Sequence, residues 1–174
     1  MPRVTLPADF DEPVFAAFAE HIGQITPGDE LPPLSALDLM EIHLLAPQVY
    51  ILDVIRDGAA APWFKVRFAG TETVTALELE PTGKSLSDIN IGPERDDVVR
   101  IYTDMLETRR PSASRSGFLI EAPKVLSALG QQTVVLKRLV FPFTNAGQSI
   151  DHFVGVLTRF DGLGEQTGFV KIDL

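Results

Sequence analysis

The 174-residue chain contains no cysteine. That absence removes disulfides, thiolate nucleophiles, cysteinyl flavin adducts and cysteine-ligated iron–sulfur clusters together. Histidine is scarce as well. His21, His43 and His152 lie far apart, and none has a second ligand at the spacing of a zinc or non-haem iron site, so no metal centre is expected. Positive charge is thin: 15 Lys and Arg stand against 24 Asp and Glu, a formal net charge of −9. Only Arg109-Arg110 and Lys137-Arg138 are adjacent, so neither a nucleic-acid groove nor an anionic membrane surface is expected. Long apolar runs are missing, and MPRVTLPADF has neither the apolar core nor the cleavage pattern of a leader. The expectation is a cytoplasmic protein.

Catalytic signatures are equally thin. There is no Gly-x-Ser-x-Gly elbow, and no Ser, His and acid set announces itself. Gly83-Lys84-Ser85 copies the end of a phosphate-binding loop, but Glu78 stands where the first glycine is required, and Glu80 and Pro81 lie between, so nucleotide binding is rejected. Asp151 and His152 are neighbours on an expected strand and point to opposite faces. The carboxylates Asp53, Glu72 and Asp88 suit surfaces and caps. No catalytic residue is assigned, and the chain is not expected to be an enzyme.

What is present is a globular composition, with 45% hydrophobic and 22% charged residues. The organisation expected is an N-terminal helical extension over residues 1–30, one domain over 31–162, and a C-terminal tail over 163–174. Asp11 and Pro13 open an amphipathic helix to about residue 23, with Phe15, Phe18 and Ile22 on its apolar stripe. A second helix is expected from Leu34 to Leu45, through Leu37, Met40, Ile42 and Leu44. Tyr50 to Asp57 reads as a strand, joined across Asp57-Gly58 to a second that begins at Trp63. Asn90 to Pro93 starts a long helix that carries Val98, Val99, Tyr102, Met105 and Leu106 to about Thr108. Strands follow at Ser116–Glu121, at Thr133–Phe143 and, across Asn145-Ala146-Gly147, at Asp151–Phe160; Pro123 to Gln131 is a loop or helical turn. The fold class is α+β: a five-stranded antiparallel sheet with short helices inserted after the second strand. Because the sheet is apolar on both sides, both sides must be covered, one by the inserted helices and the other by the N-terminal helix or a second subunit.

The stretch Trp63 to Ile89 organises the rest. Phe64, Val66 and Phe68 alternate with Lys65 and Arg67 as on a half-buried strand. Gly70 ends that strand with backbone freedom for a hard turn, Thr71 is placed to cap a short helix carrying Val74 and Leu77, and Thr82-Gly83 stops it before Leu86 and Ile89. In their order and spacing, Phe64, Arg67, Gly70, Thr71, Thr82, Gly83 and Leu86 resemble a bacterial family of stand-alone PAS-like domains. The likeness extends more loosely from Leu31 to about Phe160. The chain departs from that pattern at Leu79-Glu80, where a glycine is expected before Pro81, and at Leu39, where a proline often follows the aspartate matched by Asp38.

The resemblance implies signal input: a sensory or regulatory subunit with no output domain of its own, which binds a small molecule or a signalling-protein partner. The expected ligand pocket is Phe64, Val66, Phe68, Val74, Leu77 and Tyr102. The same set also suits plain core. The expected homodimer or partner surface is Phe15, Phe18, Ile22 and Arg67. No cofactor is indicated. Some PAS domains bind haem, which makes His152 an axial-ligand option against the plainer reading of a core-edge histidine. Arg67 and Arg138 sit within apolar strands, where a guanidinium snorkels, pairs with an acid or clamps a carboxylate ligand. Two other readings stand beside the sensor: an interaction adaptor with a filled core, and a small-molecule carrier or enzyme on an α+β sheet.

Overall fold

The computed structural model describes residues 4–26, 28, 30–58, 60–89, 95–120, 132–145, 147–163 and 168–174. Two expectations fall outside them, the start of the long helix at Asn90–Pro93 and the segment Pro123–Gln131.

Alternating, β-branched segments build β1 (Val49–Ile55), β2 (Trp63–Ala69), β3 (Ser112–Ile120), β4 (Gln132–Phe143), β5 (His152–Leu163) and β6 (Gly168–Asp173). All pair antiparallel, in the order β2-β1-β5-β4-β3-β6. The sheet therefore has six strands rather than five. The sixth is the tail itself, where Gly168 (φ 110°) starts a segment whose residues pair with Ser112 to Gly117.

Each side of the sheet carries its own core. Helix α1 (Pro13–Ile25) lays Phe15, Phe18 and Ile22 on one face, against Val49, Ile51, Leu139, Phe141, Phe143, Val154 and Val156. Proline at its first turn needs no amide partner, and the 3.6-residue period sets the three side chains in one stripe. The opposite face is covered by α2 (Thr71–Leu77) and α3 (Arg95–Thr108), both inserted between β2 and β3. There Val98, Ile101, Tyr102 and Met105 pack on Leu52, Val54, Phe64, Leu136, Val140 and Phe153. The α+β class and the placement of the inserted helices are as expected.

The expected helix from Leu34 to Leu45 does not form. Two short 3-10 turns, Leu34–Ala36 and Ala46–Gln48, bracket irregular turns. Asp38 Oδ1 accepts the Met40 amide at 2.8 Å, a local bond that competes with helix, and Met40 and Leu44 point into solvent at 77% and 79% exposure. Leu34, Leu37, Leu39, Ile42 and Leu45 face the α1 core instead.

Gly70 has a different role from the one expected of it. Its backbone is ordinary (φ −68°, ψ 163°), but a Cβ there would lie 2.2 Å from the Ala46 carbonyl oxygen and 2.4 Å from that of Pro47. The glycine admits a close backbone approach rather than a special dihedral. Gly70, not Thr71, is the N-cap residue of α2, and no side chain caps the helix. Beyond α2, Gly83 (φ 84°) turns the chain back onto β2, where the Gly83 amide donates to Val66 O and the Val66 amide to Lys84 O.

Candidate functional site

The alternation of β2 is interrupted by a bulge. Leu52 pairs with Val66 and Ile51 with Phe68, which leaves Arg67 as the extra residue. The slip sends Phe68 to the α1 side of the sheet, away from Phe64 and Val66. Phe68 is therefore removed from the expected pocket.

Between the sheet and α2 lies a cavity of about 40 Å³. Val66, Leu77 and Tyr102 line it, three of the six residues expected there. Phe64 is core behind it: its ring lies 5.5 Å from that of Tyr102 and 5.8 Å from that of Phe153, and holds Tyr102 in place rather than facing the space. Val74 is half-buried and does not line it; its neighbour Thr73 does, and donates its hydroxyl to Gln48 O at 2.9 Å.

Most of the wall is aliphatic, from Leu52, Ala69, Leu86, Ile89, Val98 and Leu157. Besides Thr73, three polar groups converge on it. Tyr50 and Tyr102, both buried, meet at 3.0 Å between their hydroxyl oxygens. Burial pushes both phenols above their ordinary range, most strongly Tyr50, while the positive charge of Arg138 opposes the rise. Arg138, 4% exposed, also lines the cavity; it donates from Nη1 to Ser116 Oγ at 2.8 Å. Directly across the β3–β4 ladder from Arg138, the buried Ser114 hydroxyl has no hydrogen-bond partner among the described residues.

Neither tyrosine was legible as half of a pair, because 52 positions separate them. The two-residue period of β1 turns the ring of Tyr50 inward with Leu52 and Val54. It lies over Gly155, its partner in the ladder, where a Cβ would stand 2.5 Å from Tyr50 Cζ and Oη. The C-terminal end of α2 is tied to β5 by Arg159, which donates to Ala76 O at 3.2 Å and to Glu78 Oε1 at 2.6 Å.

The other expected surface is placed differently. Phe15, Phe18 and Ile22 are fully buried on the chain's own sheet, so they are not available as a surface on this fold. Arg67 is half exposed, and its Nε pairs with Asp53 Oδ1 at 2.6 Å, the acid pairing expected of such an arginine. Asp53 Oδ1 also meets His152 Nδ1 at 2.9 Å, while His152 Nε2 meets Asn145 Oδ1 at 2.8 Å. His152 is buried at the sheet's end with both ring nitrogens held by neighbours, which is the core-edge role rather than that of an axial ligand. Among the described residues no group of three His, Asp or Glu side chains is placed to hold a metal ion, and no helix is long and apolar enough to cross a membrane. Comparison with protein-family models, with curated protein sequences and with solved structures returns no match to this chain.

Proposed function

We propose that the chain is a PAS-like sensory domain that responds to a small molecule held between its sheet and the helices inserted after β2. The observation that carries the reading is the cavity under α2, with its aliphatic walls and the converging Tyr50, Tyr102 and Arg138. A ligand there touches α2, the sheet and α3 at once. It shifts the population between two settings of the helices to the extent that it binds one more tightly than the other. The domain acts by binding rather than by catalysis, as a subunit that passes its state to a signalling partner or a second copy. Native mass spectrometry of the protein purified from its own host, followed by denaturing release, tests this. A stoichiometric compound is expected, and an empty chain overturns a tightly held ligand.

A second reading is an interaction adaptor. It is favoured by the exposed pair Met40 and Leu44, which stand out of the fold between the two 3-10 turns. Replacing both with serine leaves ligand binding intact and abolishes partner recruitment if the adaptor reading holds.

A further inference from the structure

Strand β5 is 12 residues long, but β1 covers only its first part, from His152 to Val156. Beyond Val156 the strand still pairs with β4 as far as Leu163, while no strand among the described residues pairs with it on the β1 side. The Val54 amide donates to Asp151 O, so the two-residue period turns the peptide groups of Leu157, Arg159 and Asp161 toward that open side. No backbone hydrogen bond from the described loops and turns reaches them there. β5 is thus an inner strand over its first half and an edge over its second, and such an edge presents donors and acceptors ready for another extended chain.

A groove of about 660 Å³ lies beside this edge. One wall is α2 with its C-cap, through Glu72, Ala76 and Glu78, and the other is β5 from Leu157 to Asp161. The start of β1 bounds one end and α2 one side, so the space suits a single extended segment rather than the border of another sheet. Strand alternation divides the lining by chemistry. Leu157 and Arg159 turn to the α2 side, where Arg159 is already held by Glu78 and Asp161. Phe160 turns to the α1 side, where Lys137 Nζ, paired with Glu12, stands 5.2 Å from its ring centre. Glu72, Glu78 and Asp161 outnumber the one guanidinium, which leaves the groove negative, while the exposed ring of Phe160 offers apolar surface beside it.

We infer that this groove takes an extended basic peptide of a partner protein, added to β5 as a further strand, with Lys or Arg on its α2 side and apolar residues on the side of Phe160. The inference stands apart from the small-molecule reading, because it uses the edge of the sheet rather than its interior. Backbone bonds to Leu157, Arg159 and Asp161 hold the peptide, and the carboxylates of the groove select its charge. The open stretch from Leu157 to Asp161 spans about 17 Å at the rise of an extended strand, so an occupant of about five residues fills it.

The test is amide hydrogen exchange of the full chain, followed by NMR, with acetyl-Lys-Val-Lys-Val-Lys-amide as the probe. With the probe at saturation the amides of Leu157, Arg159 and Asp161 are expected to slow at least about tenfold, while those of Thr158 and Phe160, which face β4, barely change. The same peptide with Glu in place of Lys is expected to bind at least about tenfold more weakly. Glu72→Gln/Glu78→Gln, at two exposed positions, is expected to weaken the Lys probe about three- to tenfold, with a smaller loss at high salt. Two N-methylated forms of the probe, one blocked at the Lys amides and one at the Val amides, separate strand addition from side-chain contact. Only one set of amides faces β5, so one form should lose binding and the other keep it. Unchanged exchange at all three amides with about 1 mM probe overturns the inference. So do equal binding of the Glu peptide, unchanged affinity in the double glutamine variant, and retention or loss of binding by both methylated forms. Protection of the same amides in the free chain that falls on dilution assigns the groove to a second copy and overturns the peptide partner.

Discussion

Replacing Gly155 with alanine is a direct way to disturb the tyrosine pair without touching it. The new Cβ would lie 2.5 Å from Tyr50 Cζ and Oη and 2.8 Å from Cε1, so the ring must retreat by about 1 Å to reach ordinary contact. It can retreat only into the small cavity that it lines, and that movement pulls against its hydroxyl contact with Tyr102 at 3.0 Å. Crowding of this kind costs about 1–3 kcal/mol, and loss of the hydroxyl contact adds about 1 kcal/mol. Alanine returns about 0.5–1 kcal/mol, since it has less chain entropy to lose than glycine. The net expectation is a loss of about 1–3.5 kcal/mol, or about 2–14 °C in Tm for a chain of this length. Thermal unfolding followed by far-ultraviolet dichroism measures it. The decisive comparison is a cycle with Tyr50→Leu, which removes the ring atoms that the new Cβ meets. In that background Gly155→Ala should be neutral or slightly stabilising. An equal loss with and without the ring would refute the reasoning, since the glycine would then act through its backbone.

Three further expectations follow from the same geometry. With folded phenols raised above their unfolded value near 10, the stability they contribute is complete below about pH 10 and is lost as pH climbs through the folded values; absorbance at the tyrosinate band, which reports only this pair, should therefore rise together with unfolding at alkaline pH, and a separate rise near pH 10 in a folded chain would contradict the burial. Gly70→Ala brings a Cβ against two backbone carbonyls that cannot rotate away, so urea unfolding should show a loss of at least about 2–3 kcal/mol, with α2 displaced. Arg67→Ala should cost no more than about 1 kcal/mol, because its side chain is 51% exposed, whereas His152→Ala, at a buried site with two polar partners left behind, should cost about 2–4 kcal/mol in the same assay.

The legible parts of the fold were those written in a regular period. The apolar stripes of α1 and α3, the alternation of β2 and the β1–β2 hairpin are local patterns, and each formed close to where its residues placed it. The bulge at Arg67 was not legible, because it belongs to the pairing of β2 with β1 rather than to β2 alone. One extra residue was enough to move Phe68 from one core to the other. Leu34 to Leu45 misled because its leucines are dense enough to satisfy a helical period, while the Asp38 turn and the flanking prolines favour something tighter. In the site, Val66, Leu77 and Tyr102 came from local patterning. Tyr50, Thr73 and Arg138 were missed as pocket residues because strand register and helix placement, rather than spacing along the chain, bring them together. Gly155 carried a signal in principle, as a glycine inside an apolar strand, a place that often marks a close approach by another group.

The two borders of the sheet differ in kind. At one, the Gly83–Ser85 segment returns against β2 and takes up hydrogen bonds through Val66. At the other, β6 ends the ladder, with no further strand beside it among the described residues. A ribbon that can grow from both sides adds copies without limit, but a ribbon obstructed midway along one side, as β2 is at Val66, joins more readily at the other. Copies of this chain meeting strand to strand through β6 would be related by a two-fold axis, and each would then present outward only the side obstructed at Val66. Association by that route stops at two.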